Sequence, residues 1–453
     1  MIFFCIFEKK AVPLQRLTDS KTSMFKRIML LLLLPITVLL SAAERVTLTQ
    51  LQADWAKYEN KVVEITTPLI VCGNYYDSLL LAPERLYCPE ERAKDLAEGD
   101  STDYYRIRAY NRAISICVHC RNAYYDVQTG DLVKGLKARV TAPRQLLTGK
   151  ALRVHGVRKA ALPRKKKGEI RIVGANIENY FADLGGYASQ KTTPEQLKMK
   201  TRKVVKAMRQ MDGDIYALCE MQQGDHAPQL LLEALNHGGR HYAYVETGWE
   251  NKDHIGGCFV YRTDRVQPYG EWMSAYSNTA SHYYPRMIAQ GFEELDKKGE
   301  PTGKKLIVSV NHFKSKSNRN RRYDTNAKRM ENTDSLLAML PKTVEQFGDS
   351  DVLLLGDYNC YTQEQPIRTI VRAGYEDMLQ VYCPDDYSYS YHSEVGYLDR
   401  CFATPSMRTQ VVNVTPWHVN TDWYYSHGAY KMRDRSCHRY ADHDPIVVDV
   451  RLK

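Results

Sequence analysis

Asp351-Val-Leu-Leu-Leu-Gly-Asp-Tyr-Asn359 is the stretch that decides the fold of this chain. Its run of apolar residues predicts a strand buried on both faces, which ends at Gly356. Asp357 and Asn359 lie two positions apart, so in extended geometry their side chains point to the same side. An acid and an amide at the carboxyl end of a buried strand are typical of α/β active sites. The alternative is a turn in which both residues only cap the backbone.

The same kinds of side chain lie at the ends of five other predicted strands, and the last segment lies just before the final predicted strand, Ile446–Val450. A single polar strand end has a structural explanation, because strand ends lie near the surface. Six strand ends that each carry a carboxylate, an amide or an imidazole are improbable as coincidence, so we expect one shared site. The five further segments are Asn176-Ile-Glu178-Asn179, Leu218-Cys-Glu220-Met-Gln222, Asn311-His312-Phe-Lys314-Ser-Lys316, Tyr397-Leu-Asp399-Arg400 and Ala441-Asp442-His443-Asp444.

These residue types indicate a metal-assisted hydrolase of phosphate esters. Glu220, with Glu178 or Asp442 nearby, suits Mg²⁺, which takes one or two carboxylates together with water and substrate phosphate. Mn²⁺ and Ca²⁺ are the alternative ions. Zinc is disfavoured because the histidines are scattered and no HExxH segment occurs.

The remaining polar residues suit acid–base chemistry. Asp357 and Asn359 are placed to hold and deprotonate a water molecule. A pair formed by His443 and Asp399 would orient an imidazole, as acid–base catalysis requires. His312 would stand across the site beside the leaving group.

Strands and helices alternate from residue 169 to 453, which predicts one large α/β domain with mixed sheets. Within it, Thr193 as N-cap and Pro194 at the first helical position predict a helix to about Met211.

Residues 44–162 predict a smaller β domain. About five β-rich runs, Tyr104–Ala109 among them, suit an OB-like barrel. Gln50–Asn60 predicts one short helix and Leu147–Val157 a hairpin. Residues 163–168 predict a basic linker between the two domains.

The N terminus has the pattern of a signal peptide. Met24-Phe-Lys-Arg27 is basic, Ile28–Leu40 is apolar, and Ser41-Ala42-Ala43 offers small residues for cleavage. We therefore expect translation to start at Met24, residues 1–43 to be leader and signal peptide, and the mature protein to be secreted or periplasmic. The apolar run is too short for a spanning helix, so no stable membrane anchor is expected.

Charge and aromatic composition favour a polyanionic partner. The chain has 63 Lys and Arg against 53 Asp and Glu. The basic residues concentrate at 134–167 and 314–322, where the alternative is a solvated linker or surface. The 32 tyrosines against 10 phenylalanines could offer ring faces at a surface. No protein partner is indicated.

Ten cysteines remain after residue 43, an even number in a compartment that permits disulfides. Cys117-Val-His-Cys120 is a single CxxC without a second pair at metal spacing. It therefore predicts a local bridge or two unrelated thiols rather than a zinc site.

The motif order resembles that of the endonuclease/exonuclease/phosphatase superfamily, which includes pancreatic-type deoxyribonucleases, abasic-site endonucleases, inositol polyphosphate 5-phosphatases and bacterial sphingomyelinases. The resemblance covers about Ile170 to the C terminus. It implies a four-layer α/β/β/α sandwich with a Mg²⁺-dependent site between the upper edges of two sheets. The motifs are N-x-E at Asn176, the strand-end Glu220, N-x-H at Asn311, G-D-x-N at Gly356, L-D at Leu398 and D-H-x-P at Asp442.

Carried over residue by residue, the resemblance implies these roles around the metal. Asn176 contacts phosphate or orients the water, and Glu220 is the principal metal ligand. Glu178 is a lesser metal ligand, and Asp442 sits near the metal.

The resemblance also implies the roles of the remaining catalytic residues. His312 stabilises the transition state or protonates the leaving oxygen, and Asp357 and Asn359 position the nucleophile. Asp399 orients His443. The general base is either Asp357 or His443.

One segment narrows the resemblance. Asn311-His-Phe-Lys-Ser-Lys316 is similar to the NHxKSK segment of secreted bacterial nucleases, which implies that Asn311, Lys314 and Lys316 bind substrate. Arg286 is a further candidate contact, although it stands in Tyr284-Pro-Arg286-Met where the family has Arg-Pro-Pro. Ala441 replaces the usual serine before the Asp-His pair.

The sequence therefore predicts an exported, metal-dependent phosphodiesterase that acts on DNA or also RNA with low sequence specificity. Two alternatives stay open. The first is a phosphomonoesterase or phospholipid phosphodiesterase on the same scaffold, and the second is a catalytically silent polyanion-binding protein.

Overall fold

The computed structural model of the chain describes residues 43–75, 77–120, 127–156, 161–183, 192–247, 254–275, 287–317, 324–423 and 435–453. The predicted signal peptide lies outside these residues. No helix within the described ranges is long and apolar enough to cross a membrane.

The strands, in chain order, are β1 Glu44–Val46, β2 Val62–Ile65, β3 Leu69–Asn74, β4 Ser78–Ala82, β5 Ile116–His119, β6 Leu132–Val133, β7 Leu136–Ala142, β8 Gln145–Leu147, β9 Val154–His155, β10 Ile170–Tyr180, β11 Ile215–Gln222, β12 Tyr242–Tyr244, β13 Ile255–Arg262, β14 Val266–Ala275, β15 Met287–Leu295, β16 Pro301–His312, β17 Val352–Asp357, β18 Glu376–Asp377, β19 Tyr389–Tyr391, β20 Glu394–Gly396, β21 Asp399–Ala403, β22 Val411–Pro416 and β23 Ile446–Val450. The α-helices are α1 Leu48–Ala53, α2 Trp55–Tyr58, α3 Pro89–Arg92, α4 Thr102–Ile114, α5 Pro194–Met211, α6 His226–Asn236, α7 Thr325–Phe347, α8 Gln365–Arg372, α9 Met378–Tyr382 and α10 Pro405–Arg408, and Leu96–Glu98 form a 3-10 helix.

Strand β17 is the predicted buried strand, and every residue in it is buried. It runs parallel to β16 and antiparallel to β21, and this register sets Asp357 opposite both His312 and Asp399. Gly356 adopts a φ of +129°, and a Cβ built on it would lie 2.0 Å from the carbonyl oxygen of Asn311. Only glycine therefore allows β17 to approach β16 this closely at the point where the catalytic segment begins.

Two mixed six-stranded sheets face each other in the C-terminal part of the chain. Their strand orders are β12-β13-β11-β10-β23-β22 and β14-β15-β16-β17-β21-β18. An apolar core fills the space between them, with Ile172 and Phe259 from the first sheet and Val308 and Leu355 from the second. The packing is close, because a Cβ on Gly174 of β10 would lie 3.1 Å from the Leu355 side chain.

Helices cover the outer face of each sheet. Val204 and Met208 of α5 and Leu231 of α6 share a core with the outer face of the first sheet, and residues of α7 and α8 do the same on the second. The predicted four-layer α/β/β/α sandwich is therefore confirmed. Helix α5 begins as predicted, with a capping box between Thr193 and Gln196.

The described N-terminal residues form one nine-stranded sheet in the order β1-β2-β7-β8-β5-β4-β3-β6-β9, with one large core and one smaller apolar cluster. The strand number exceeds the five expected, and the OB-like assignment stays a prediction. The helix predicted at Gln50–Asn60 is two short helices, α1 and α2.

Two predictions in this region were wrong. Tyr104–Ala109 is not a strand but lies within α4. The less exposed positions of that helix, Tyr104, Ile107 and Asn111, follow helical spacing, and the polar Asn111 conceals this period in the sequence. Leu147–Val157 is not a hairpin, because β8 pairs with β5 and β7 whereas β9 pairs with β6.

Residues 45–453 pack as one unit. From α3, the buried Glu91 accepts hydrogen bonds from the backbone N–H groups of Thr362 and Tyr397 and lies 3.6 Å from Arg400. The N-terminal region thus contacts the segments next to β17 and β21 directly.

All ten cysteines from Cys72 to Cys437 are free thiols. Of the two predictions for Cys117 and Cys120, two unrelated thiols is therefore the correct one.

Candidate active site

The ends of β10, β11 and β17 meet at one edge of the sandwich through a single amide. Asn176 is buried, and its Nδ2 donates to Glu220 Oε1 at 2.9 Å and to Asp357 Oδ2 at 3.2 Å. Asn176 and Glu220 belong to one sheet and Asp357 to the other. This hydrogen-bonded junction brings the predicted site residues of both sheets together.

The backbone at this edge departs from regular strand geometry. The ladder between β10 and β11 shifts register after Asn176, and the ladder between β11 and β13 shifts after Leu218. Glu178, Glu220 and Asn359 adopt φ values of 51°, 63° and 49°, which are uncommon for residues other than glycine. Bulges of this kind redirect side chains, and positive φ values persist where the surroundings hold them in place.

Asp357 is the most densely bonded carboxylate of the group. Its Oδ1 accepts from the Asn359 backbone N–H at 2.8 Å, and its Oδ2 accepts from Asn359 Nδ2 at 3.1 Å and from Asn176. Burial raises the pKa of Asp357 to about 6, although the charge of His443 opposes the rise. The amide of Asn359 is held in turn by the carbonyl oxygen of Phe313. Asp357 and Asn359 therefore act as a unit, as the G-D-x-N motif predicts.

His443 and Asp399 form the predicted pair. The Nδ1 atom of His443 lies 2.8 Å from Asp399 Oδ2, and its Nε2 lies 3.9 Å from Asp357 Oδ2. Burial opposes protonation of this imidazole, but the nearby carboxylates of Asp399, Asp357 and Asp442 outweigh it and raise the pKa of His443 well above its usual value. The carboxylates therefore favour the protonated form of this ring.

His312 approaches the same centre from β16. Its Nε2 lies 3.7 Å from Glu220 Oε1 and 3.8 Å from Asp357 Oδ2. Its Nδ1 is buried and has no hydrogen-bond partner among the described residues. Burial lowers the pKa of His312, so the pKa values of the two imidazoles are shifted in opposite directions.

The predicted metal ligands lie beside this group. Burial, and next the charge of Asp442, raises the pKa of Glu220, and burial also raises the pKa of Glu178. The ligand atoms of two sets lie within 4.8 Å of one another: Glu220, His312 and Asp357 form one set, and Asp357, Asp399 and His443 the other. The predicted set of Glu178, Glu220 and Asp442 is not one of these two. The buried carboxylates disfavour their own charged forms, so a divalent cation would be bound favourably here, with Glu220 as the best placed ligand.

The predicted substrate-binding residues have different positions. Asn311 is fully buried, and its amide donates to the carbonyl oxygen of Leu355 and to the Tyr358 hydroxyl. The prediction that it contacts substrate is therefore corrected: neighbouring strand residues point to opposite faces, and Asn311 faces inward while His312 faces the site.

Lys314 and Lys316 are partly exposed just beyond the end of β16. Lys316 pairs with Glu364 and lies 4.9 Å from the centre of the Tyr361 ring. Arg286 lies outside the described residues.

Several supporting residues were not predicted. The ring of Tyr389 packs on His443 with centroids 4.5 Å apart, and Asn420 Nδ2 donates to the carbonyl oxygen of His443. Tyr389 and Asn420 carried no strand-end signal.

Lys200 was also missed. It is fully buried on α5, where its Nζ lies 3.8 Å from Glu178 Oε2 and donates to the carbonyl oxygen of Tyr440. Its position on the apolar stripe with Val204 and Met208 was a signal that could have identified it.

A second histidine network supports the backbone next to His443. His418 lies 2.8 Å from Asp444 through Nδ1 and 2.8 Å from Asp386 through Nε2. Burial opposes protonation, but both carboxylates outweigh it and raise the pKa of His418 to about 10. Asp444 also accepts from the backbone N–H groups of Asn420 and Thr421, so this network fixes the backbone on both sides of His443.

Comparison with known proteins identifies the family of this chain. A profile of the Endonuclease/Exonuclease/phosphatase family matches residues 175–443. Similar solved structures include a protein of that family from Bacteroides thetaiotaomicron, with 19% identity, 62% of this chain and 97% of the other covered, and a TM-score of 0.43. The human nocturnin catalytic domain has 15% identity, coverages of 64% and 97%, and a TM-score of 0.44. A mannosyl-6-phosphatase from Bacteroides thetaiotaomicron has 19% identity, coverages of 62% and 98%, and a TM-score of 0.42. A search of curated proteins found no match. The profile match covers more than half of the chain and spans the site residues from Asn176 to His443, so the chain belongs to the endonuclease/exonuclease/phosphatase family, hydrolases that act on phosphate esters.

Proposed function

We propose that this protein is an exported, Mg²⁺-dependent phosphodiesterase that hydrolyses DNA, and also RNA, with low sequence specificity. The observation that carries the proposal is the junction of Asn176, Glu220 and Asp357 across the two sheets, flanked by the imidazoles of His312 and His443. Export rests on the basic and apolar pattern of residues 24–43.

Asp357 and Asn359 hold the attacking water in the proposed reaction. Asp357 has the hydrogen bonds to hold its carboxylate in one orientation, and the Asn359 amide is fixed by Phe313. Nδ1 of His443 is bonded to Asp399, and the surrounding carboxylates favour the protonated form of the ring, so His443 is poorly suited to accept a proton. We therefore assign the general-base role to Asp357 and leave His443 to stabilise negative charge on the phosphoryl group.

The leaving oxygen is placed near His312. The neutral imidazole of His312 can donate one hydrogen bond to developing charge without carrying a full positive charge into the site. Asn176 holds Glu220 and Asp357 at a fixed separation, which keeps the two sides of the site in register. A bound Mg²⁺, held by Glu220 with Glu178 and Asp442 close by, would polarise a phosphoryl oxygen as a Lewis acid.

Basic residues favour a nucleic acid over a small ester. Lys314 and Lys316 lie at the end of the strand that carries His312, and a second basic segment spans residues 134–167. Lysine and arginine contacts to phosphate do not distinguish between bases, which is the basis for the proposed low sequence specificity. They also predict affinity that falls with salt concentration.

The test compares four substrates: plasmid DNA, RNA, sphingomyelin and an inositol phosphate, each with Mg²⁺ and with EDTA. Glu220→Ala and His443→Ala variants are assayed beside Glu345→Ala and His155→Ala, which change exposed residues of the same types. We expect Mg²⁺-dependent cleavage of DNA that is lost in the first two variants and kept in the controls. Cleavage of only the lipid or the inositol phosphate would refute the proposal in favour of a different phosphoesterase.

Export is tested separately by N-terminal sequencing of the protein produced from the full gene. A mature chain beginning near Glu44 is expected, and a chain retaining residues 24–43 would contradict export.

A further inference from the structure

A cleft of about 350 Å³ lies between the N-terminal region and the catalytic region. We propose that this cleft is a binding subsite for the nucleic-acid strand next to the scissile phosphate, so that the N-terminal region forms one wall of the substrate site. This inference rests on the proposed function and extends it to the recognition of a second part of the substrate. The cleft residues that the argument uses are Asn74, Tyr75 and Thr129 on one wall, and His392, Trp423 and Arg439 on the other.

The cleft adjoins the active site through two short connections. Arg439 donates to the carbonyl oxygen of Asn420 at 3.0 Å, and the Asn420 amide donates to the carbonyl oxygen of His443. The charge of Arg439 also reaches Glu178 and lowers its pKa, against the larger opposing effect of burial. The second connection is the β19–β20 hairpin. Its first strand places Tyr389 against His443, and its turn places His392 in the cleft. These contacts connect the cleft to the segments around His443, which is the basis for assigning it to the strand next to the scissile phosphate.

The N-terminal wall is held firmly against the hairpin. The Tyr75 hydroxyl lies 2.7 Å from Ser393 Oγ, and a Cβ on Gly73 would lie 1.8 Å from the same oxygen. His392 and Ser393, the two turn residues, adopt φ values of 50° and 69°, as a tight two-residue hairpin turn requires. Neither residue is glycine, so the contact with the N-terminal region compensates for an unfavourable turn. Specific contacts therefore hold the walls of the cleft in place, and the two regions are not loosely packed there.

The chemistry of the walls suits a single strand. Tyr75 keeps 42% of its surface exposed, so its ring is accessible from solvent. His392 adds a further ring system, as does Trp423, one face of which already stacks on His438, and Arg439 supplies a cation for a phosphate. Aromatic faces that stack on bases together with a cation that follows the backbone are the usual elements of single-strand binding, which tolerates any base sequence.

The test separates stacking by Tyr75 from its hydrogen bond to Ser393. Tyr75→Leu removes the ring, whereas Tyr75→Phe keeps the ring and removes only the hydroxyl. Both variants and the wild type are assayed on a single-stranded 12-nucleotide DNA and on bis(p-nitrophenyl) phosphate, which has no flanking strand. Circular dichroism melting confirms that each variant is folded. His392→Asn is included as a second variant, because asparagine tolerates the positive φ at that turn.

We expect Tyr75→Leu to raise KM for the oligonucleotide about tenfold, as loss of one stacked base predicts, with little change on bis(p-nitrophenyl) phosphate. Tyr75→Phe should stay close to the wild type on both substrates, and His392→Asn should show a smaller, oligonucleotide-specific loss.

Three results would overturn the inference. The first is an unchanged oligonucleotide KM in both Tyr75→Leu and His392→Asn. The second is equal losses on both substrates, and the third is equal impairment by Tyr75→Phe and Tyr75→Leu, which would indicate a structural role. If these results occur while the wild type cleaves DNA, the subsite fails and the proposed function stands. If the wild type hydrolyses only the small ester, both fail.

Discussion

Replacing Gly356 with alanine should damage stability and activity together, and the structure gives the size of the effect. The φ of +129° at this position is unfavourable for alanine, which costs about 1–2 kcal/mol. The new Cβ would also lie 2.0 Å from the carbonyl oxygen and 2.7 Å from the backbone nitrogen of Asn311. Neither atom can move without disturbing the ladder between β16 and β17, so overpacking adds about 1–3 kcal/mol. We therefore expect Gly356→Ala to lower the free energy of unfolding by about 2–5 kcal/mol.

A matched control isolates the steric contribution. Gly299 has a φ of +83°, but a Cβ there would meet no atom within 4 Å. Gly299→Ala should therefore lose only the backbone contribution of about 1–2 kcal/mol. Urea unfolding of both variants, followed by tryptophan fluorescence and circular dichroism, measures the difference.

Activity provides the second readout of the same change. Asp357 follows Gly356 directly, so a shift of the strand end displaces the carboxylate that holds the water. A misplacement of about 1 Å can lower a rate about 100-fold, and we expect a loss of at least that size in folded Gly356→Ala protein. The reasoning would be refuted if the two alanine variants lost similar stability, or if Gly356→Ala kept wild-type kcat.

Three further predictions follow from the site and its surroundings. Asp399→Asn should lower kcat on DNA about 10²- to 10⁴-fold with little change in KM, because His443 loses the carboxylate that orients and charges it, and steady-state kinetics with unchanged kcat would contradict this. The raised pKa of His418, about 10, means that the stability from its bonds to Asp386 and Asp444 is fully present below pH 6.5 and is lost as pH rises toward 10. The free energy of unfolding should therefore fall by on the order of 4 kcal/mol over that range, and a His418→Asn variant that showed the same decline would exclude His418 as its source. Raising salt from 50 to 200 mM should increase KM for DNA at least tenfold while KM for bis(p-nitrophenyl) phosphate changes little, and parallel changes on both substrates would argue against phosphate contacts by the basic segments.

Local sequence signals predicted much of the catalytic region. The buried strand β17, the capped start of α5 and the last strand β23 were all predicted, because each depends on a short run of residues. Strand β14 was not predicted, since it alternates weakly and only Val266 in it is buried. Asn111 obscured α4 in a similar way, because a polar residue occupies an inward position of the helix. The hydrogen-bond partner of Asn111, Glu394, lies 283 residues away in sequence.

The residues of the site differ in the same way in how far the sequence alone predicts them. The residues that touch the centre follow strands, so sequence alone could identify Asn176, Glu220 and Asp357. Bulges decide where such side chains point, and the positive φ of Glu220 has no local sequence signature. Supporting contacts such as the Tyr389 ring on His443 join segments that only the folded chain brings together. For that reason the sequence predicted the side chains that meet at the centre and not the residues that position them.

Contacts from the N-terminal region support the candidate site itself, so this region does more than a separate binding module would. Glu91 holds the backbone N–H groups of Thr362 and Tyr397, and Tyr397 lies two residues before Asp399. The N-terminal region therefore contributes both to the wall of the proposed subsite and to the support of the segment that carries Asp399, the partner of His443.

The most direct test of the central claim is the cleavage rate of a 5′-labelled DNA oligonucleotide at saturating Mg²⁺. The wild type is compared with Asp357→Asn, and with Asp334→Asn as a control on the exposed face of α7. If Asp357 accepts the proton of the attacking water, the wild type and the control cleave the DNA at similar rates, and Asp357→Asn cleaves it at least 100-fold more slowly. Equal rates for all three proteins, or no cleavage by the folded wild type, would contradict the account.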